Sequence, residues 1–281
     1  MHFRTLKKSD LGAMRRAFNL AFENYFVDMH MDEAAFQQRF LKKEKISFRC
    51  SGAFFNEQGE MVAFIFHSKG RTPSGELVAY NAGTGVLPDY RGQGLSSRLY
   101  EKLIPRLRKA GIEKMLLEVI TENHAAIKSY EKIQFRQQRQ LDFYGVRALK
   151  TPSSKREAVT VRWQDKLPFD QFSDWNPSWP LIPAHFKAIR RKLNCYGVYE
   201  SDQLIGYAVA NPKSGRIMYY GVHREYRARG VGAALFERII TDSEKDISLL
   251  NIDASDQNSS RFLEKMGLEV KISQYEMSRQ I

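Results

Sequence analysis

Sulfur is scarce in this chain of 281 residues: Cys50 and Cys195 are its only cysteines, and they fall in different halves. Two thiols so far apart make neither a disulfide framework nor a cysteine metal site. His2, His30, His67, His185 and His223 are scattered without ligand spacing, so no metal is expected. No apolar run is long enough to cross a bilayer. The first residues, Met1 to Lys8, have no apolar centre that would make a signal peptide. A cytoplasmic protein with no membrane partner is the expectation.

What is present is an ordinary globular composition, 43% hydrophobic and 27% charged. The net charge of +12 is uneven: residues 1–150 hold 25 Lys and Arg against 16 Asp and Glu, and the rest hold 19 against 16. Solvated helix faces such as Lys42-Lys43-Glu44-Lys45 account for part of the excess. Attraction of a polyanionic ligand to the first half is the sharper reading. Nucleic acid is not the expected partner, because no basic stripe is interleaved with exposed-looking aromatics.

One loop is written twice. Arg91-Gly92-Gln93-Gly94-Leu95-Ser96 and Arg227-Ala228-Arg229-Gly230-Val231-Gly232 stand 136 residues apart. Each follows a strand-like run, Leu77 to Leu87 or Ile217 to Val222. Each opens a helical pattern, with Leu95, Leu99, Leu103 and Leu107 in the first and Val231, Leu235 and Ile239 in the second. A strand, a glycine-bearing turn and a helix start bring several backbone N–H groups onto one anion at the positive end of the helix dipole. Two phosphate-cradling half-sites are therefore expected.

The repeat divides the chain into residues 1–150, a polar linker at 151–157, and residues 158–281. In the first part the pattern gives a strand near His2–Leu6 and a helix capped at Ser9-Asp10. A second helix from about Asp32 to Lys45, strands to Leu87, the loop-helix, a strand Lys114–Ile120, a helix Asn123–Lys132 and strands to Val146 follow. Pro105 should kink or shorten the loop-helix. The second part repeats this order after a Pro- and Trp-rich stretch from Phe169 to Pro183 and a helix His185–Leu193. The three tryptophans, all between 163 and 179, read as packing under that stretch.

Gly85-Val86-Leu87-Pro88-Asp89-Tyr90-Arg91-Gly92-Gln93-Gly94, followed by Asn123, Ala126 and Tyr130-Glu131-Lys132-Ile133-Gln134-Phe135, resembles the two signatures of the GNAT superfamily of N-acetyltransferases. Gln134 and Ser96 stand where the pattern has glycine. The resemblance implies an α/β (α+β) fold of two tandem GNAT domains, each a mixed, mostly antiparallel twisted sheet flanked by helices. It implies acetyl-CoA as cosubstrate, and a small-molecule or peptide amine as acceptor. By the same resemblance Val86 offers its N–H to the acyl carbonyl, and Arg91, Gly92, Gln93, Gly94, Leu95, Ser96 and Asn123 hold the cofactor. Arg91 either pairs with phosphate or braces the loop. Val222, Arg227, Ala228, Arg229, Gly230, Val231 and Gly232 form the second, weaker candidate site. The oligomeric state is not set by any of this.

In the family the tyrosine matching Tyr130 protonates the leaving CoA thiolate. Aligning the Glu-Lys pairs puts Leu263 opposite Tyr130 and Asp256 opposite Asn123. Leucine cannot donate a proton, so the first domain is the expected catalytic one. Two alternatives stay open: the C-terminal domain reacts instead, or the chain is a non-catalytic acyl-CoA-binding module. Glu118, the one carboxylate inside the apolar run Met115–Ile120, is the candidate base, directly or through a water; a structurally paired carboxylate is the other reading. Glu122 and His124 read as caps of the helix beginning there. The acceptor pocket is expected between Asn24–Met31 and Leu141–Val146, with Tyr25, Phe26, Phe143 and Tyr144. Residues 1–146 should then form a self-sufficient unit.

Overall fold

The computed structural model describes residues 1–150, 154–162, 169–174, 176–182, 185 and 189–281. Linker residues 151–153, Trp163, Trp175, Pro183 and positions 186–188 of the expected helix lie outside the described residues. The chain forms two compact units, one made of Met1–Gln138 with Tyr275–Ile281 and the other of Arg139–Gln274.

The first unit contains β1 (His2–Thr5), α1 (Leu11–Ala21), α2 (Glu33–Gln37), β2 (Gly52–Phe55), β3 (Met61–Arg71), β4 (Leu77–Val86), α3 (Leu95–Lys109), β5 (Lys114–Ile120) and α4 (His124–Lys132). Strands β1 to β4 are successive antiparallel neighbours, and β5 lies parallel to β4. The run Met61–Phe66 is buried on both faces, as helices on both sides of the sheet require. Phe18, Phe36, Phe40, Phe64 and Phe66 belong to the core on the α1 side. Leu99, Tyr100, Leu103, Leu117, Val119, Tyr130 and Phe135 belong to the core on the α3 side.

Three local expectations are corrected. The helix expected over 32–45 is α-helical only to Gln37 and widens into a π-helix over Gln38–Lys43. Phe36 and Phe40 both pack on Phe18 and Phe66 across the junction, and these contacts outweigh regular hydrogen bonding. Asp10 spends its carboxylate on Arg4, at 2.7 and 2.8 Å, and caps no α1 N–H. Pro105 does not shorten α3, which runs on to Lys109. It faces solvent, where the Glu101 carbonyl it leaves unbonded can meet water, while Leu103, Ile104 and Leu107 anchor the helix inside.

The second unit contains β7 (Val159–Val161), α5 (Phe169–Phe172), β8 (Asn194–Glu200), β9 (Gln203–Asn211), β10 (Arg216–Val222), α6 (Val231–Asp242), β11 (Ser248–Asp253) and α7 (Gln257–Lys265). Its strand order is β7-β8-β9-β10-β11, with β10 and β11 parallel. The expected helix at 185–193 is, in its described end, a 3-10 turn over Arg190–Lys192.

The first unit takes its last strand residues from the far end of the chain, and the second begins within a strand that follows the first. Strand β6 (Arg136–Val146) pairs antiparallel with β11 from Leu141 on, and so completes the second unit. Strand β12 (Leu268–Gln280) runs out of the second unit into the first: Ile281 donates to the Glu113 carbonyl, and Met277 enters the α3-side core. The division at Gln138 and Gln274 thus differs from a cut at 151–157. Of the segments expected to line the acceptor pocket, Asn24–Met31 belongs to the first unit and Leu141–Val146 to the second.

A fragment ending near Lys150 lacks a sheet strand of its own unit and should not fold stably. In the full chain, Met277→Ala should cost about 2–5 kcal/mol in urea unfolding, because the methionine is 1% exposed. His67 on β3 gives a second check. Its Nδ1 donates to the Cys50 carbonyl at 2.8 Å, so its Nε2 is the bare nitrogen, and burial lowers its pKa to about 4. The unfolded chain binds the proton near pH 6.5 and the folded chain only near 4, so stability must fall as pH drops through that window. The loss from this group between pH 7 and 5 should be about 2 kcal/mol, and His67→Phe should remove it.

Candidate active site

Strands β4 and β5 hydrogen-bond at one end only. Val78, Ala79 and Tyr80 pair with Lys114, Met115 and Leu116; both strands then continue unpaired with each other, to Val86 and to Ile120. The parting coincides with a bulge in β4, where Ala82 is the extra residue between the Phe66–Gly83 and His67–Asn81 pairs. Leu87 N–H bonds to Val62 O at 2.9 Å on the β3 side. Antiparallel alternation then turns the N–H and C=O of Val86 toward the side that β5 has left. Arg91 Nε takes that carbonyl at 3.3 Å, and its Nη2 takes the Ala21 carbonyl at 2.9 Å. Of the two roles open to Arg91, this geometry displays the brace. The Val86 N–H is left facing the gap.

The loop after β4 is shaped for an anion. Gly92 and Gly94 have φ of 76° and 67°, and a Cβ on either would meet nothing within 4 Å. Arg91 N–H bonds to Pro88 O and Arg98 N–H to Gly94 O. Among the described residues, no N–H from 92 to 97 donates to a protein acceptor. Gln93, Gly94, Leu95 and Ser96 thus contribute backbone donors at the start of a 15-residue helix. These residues fit a pyrophosphate-bearing cosubstrate.

Tyr130 projects from α4 into the α3-side core, with its ring 6.3 Å from Tyr100 and 5.7 Å from Phe135. Burial pushes its pKa up to about 12; hydrogen bonds with Thr84 and Asn81 oppose the rise. Asn81 Nδ2 also donates to the hydroxyls of Thr84, at 2.7 Å, and Tyr100, at 2.9 Å. Asn123, not Glu122 or His124, caps α4: its Oδ1 accepts from Ala126 N–H at 3.2 Å. Its Nδ2 faces the Tyr25 hydroxyl at 3.5 Å. Glu122 instead accepts from Thr121 Oγ1. Asn fits the cap because its short side-chain oxygen reaches the helix's first free N–H groups.

Glu118 lies on the other side of the sheet. Its neighbours Leu117 and Val119 point into the core that holds Tyr130, so strand alternation turns Glu118 away from that core. There Tyr80 Oη donates to Glu118 Oε2 at 3.2 Å. Tyr80 is buried, and its pKa is pushed up first by that burial and then by the charges of Glu118 and Glu44. The parted strands therefore have a phenol on one face and a carboxylate on the other. Asn81, Thr84 and Tyr80 escaped the sequence reading because no loop signature marks them. Register against β3 and β5 is what brings them to the site.

The second unit repeats the backbone. Strands β10 and β11 pair only at Arg216–Ser248 and Ile217–Leu249, and Met218 is the bulge residue, 136 positions after Ala82. His223 N–H bonds to Ile205 O, and Arg227 Nε takes the Val222 carbonyl at 3.2 Å. Ala228 and Gly230 keep left-handed φ of 59° and 82°. Val231 and Gly232 begin α6, and the Arg229 carbonyl is held by Arg156. A cavity of about 480 Å³ opens here, lined by Tyr220, Val222, Gly230, Arg261 and Lys265 among others. Leu263 is fully buried where the first unit has Tyr130.

The sequence matches the Acetyltransferase (GNAT) family over residues 12–135 and again over 156–268. The chain belongs to this family. One match falls within each unit of this GNAT acetyltransferase, so the expected tandem layout is borne out. Ribosomal protein bS18-alanine N-acetyltransferase of Escherichia coli K12 is 38% identical over 79 residues, 28% of this chain and 50% of that protein. N-alpha-acetyltransferase 30 of Schizosaccharomyces pombe is 30% identical over 59 residues, 21% of this chain and 39% of that one. The chain thus spans about half the length, or less, of these curated relatives. In structure, it is similar to a GCN5-related N-acetyltransferase of Sphaerobacter thermophilus, with TM-score 0.72 at 14% identity, covering 99% of this chain and 95% of that one. A tandem GNAT protein of the clavulanic acid biosynthesis pathway gives TM-score 0.70 at 13% identity, covering 99% and 98%. These two likenesses concern fold.

A carboxylate in the cradle should separate binding from folding. Gly94→Asp meets open space, so its structural cost is the strained φ, about 1 kcal/mol. Affinity for coenzyme A at the first unit should fall more than tenfold, because a fixed negative charge then opposes the phosphates. Titration calorimetry beside thermal unfolding reads both effects.

Proposed function

We propose that this GNAT acetyltransferase moves an acetyl group from acetyl-CoA directly to a primary amine, and that the first unit performs the transfer. The observation that carries the reading is the placement of Tyr130 and Glu118 on opposite faces of one strand gap. The thioester end of the cosubstrate lies in that gap when its phosphates rest on N–H groups 92–97. The amine approaches from the Glu118 face, and Glu118 accepts its proton, directly or through a water, as the nitrogen forms its bond to the acyl carbon. Val86 N–H faces the carbonyl oxygen as negative charge gathers there. The carbon–sulfur bond breaks, and Tyr130 gives its proton to the departing sulfur.

Burial supports this role for the phenol. A pKa near 12 keeps Tyr130 protonated at every physiological pH. Desolvation raises the pKa of a thiolate leaving into the same pocket as well, so the transfer is less uphill than values in water suggest. The acceptor is an amine on a small molecule or a peptide; a relative named for the alanine of ribosomal protein bS18 supports including peptides.

Tyr130→Phe should lower kcat by about 10²-fold or more while the dissociation constant of acetyl-CoA changes little. Glu118→Gln should remove the acidic limb of the pH–rate profile. Free thiol released from acetyl-CoA, measured against a panel of amines and short peptides, reads both. Full turnover by Tyr130→Phe rejects the reading, and so does a variant that fails only through lost binding.

A further inference from the structure

The first unit brings a phenol to the strand gap from its helix, and the second has leucine at that helix position. Yet a phenol stands at the second gap. Tyr220 is two residues before Val222, as Thr84 is two before Val86, and the same 136-residue offset relates both pairs. Thr84 is the strand residue whose hydroxyl acts on the Tyr130 phenol. The helix–strand pair Tyr130 and Thr84 thus becomes Leu263 and Tyr220: the ring has moved from helix to strand. The rings pack on equivalent α-helical positions. Tyr130 lies 6.3 Å from Tyr100, and Tyr220 lies 5.2 Å from Phe236, which is again 136 residues on.

The Tyr220 hydroxyl is sealed from solvent and makes no hydrogen bond among the described residues. Ser259 lies near it without bonding geometry. A buried hydroxyl with no partner costs about 1–3 kcal/mol, which a ligand acceptor would relieve. Its residue lines the cavity of about 480 Å³, whose other walls include the cradle loop, α7 and Phe172 to Asp174. On α7, Arg261 and Lys265 stand four residues apart and line the same cavity, supplying cations for a further phosphate.

We propose that the second unit is a second acyl-CoA site in which Tyr220, delivered from the strand, protonates the leaving thiolate. The proposal shares with the first-unit reading only the identity of the donor. The acceptor nitrogen or a water oxygen bonds to the acyl carbon, the carbon–sulfur bond breaks, and sulfur takes the Tyr220 proton. The acceptor's own proton passes to water. Leu250 occupies the β11 position that corresponds to Glu118, since Arg216–Ser248 matches the Tyr80–Leu116 pair. A site without that carboxylate favours water or an amine already neutral.

The test uses the full chain and acetyl-CoA, with free thiol and calorimetric stoichiometry as readouts. The native chain should bind two CoA molecules, and Gly230→Asp should bind one. Tyr130→Phe should retain a slow thiol release that rises with pH. Adding Tyr220→Phe should cut that residue by about 10²-fold while both CoA molecules still bind, which also shows that the fold survives. A stoichiometry of one that Gly230→Asp leaves unchanged overturns the proposal. So does equal thiol release by the single and double variants, or none from Tyr130→Phe. If Tyr130→Phe is fully active and Tyr220→Phe is inert, the first-unit reading falls while this one stands.

Discussion

Two parallel strands that bond at one end and part at the other shape the candidate site of each unit. A sheet normally uses its inward backbone groups on the next strand, and an unpaired buried N–H is expensive. Here the parted segment exposes Val86 N–H in one unit and Val222 N–H in the other. An arginine at the base of the following loop takes the neighbouring carbonyl in both. With the carbonyl held, only the donor is left facing the gap. The bulges at Ala82 and Met218 set where the parting begins.

The cradle was legible in the sequence because it depends on conformation. A turn that needs left-handed backbone shows its glycines, and the apolar period marks the helix it opens. Even Ala228, a non-glycine residue at φ 59°, keeps the shape, since the turn around it dictates that conformation. The partners of those elements were much less visible. Strands β6 and β12 both read as terminal strands, but an alternating pattern does not say which edge a strand joins. The return of the chain's last residues to the first unit lies in long-range pairing that no local window contains.

Side-chain roles divided in the same way. Tyr130 and Glu118 could be picked out as a phenol on a helix and a carboxylate in an apolar strand. Their opposite orientations follow from strand alternation once the core face is known. Asn123 was legible as a helix-start residue, although its oxygen is spent on Ala126 and only its amide nitrogen faces the site. The polar cluster of Asn81, Thr84, Tyr100 and Tyr130 depends on the β4 bulge. Removing one residue there would turn the strand beyond it to the other face and scatter the cluster.

The comparison of the two units separates what backbone can do from what side chains must do. Phosphate binding asks for N–H groups in a left-handed turn, and both loops supply them although their sequences differ at most positions. Proton transfer asks for an ionisable group at one point in space, and a single substitution removes it. Leu263 removes it from the helix. Space, however, is conserved by packing: a core that loses a ring at one position is stable only if another group fills the volume. Tyr220 fills it from the facing strand, against the same position on the loop-helix. A ring placed there for packing carries its hydroxyl with it, and so the demand for a filled core keeps a phenol beside the second cradle although the helix has lost its own.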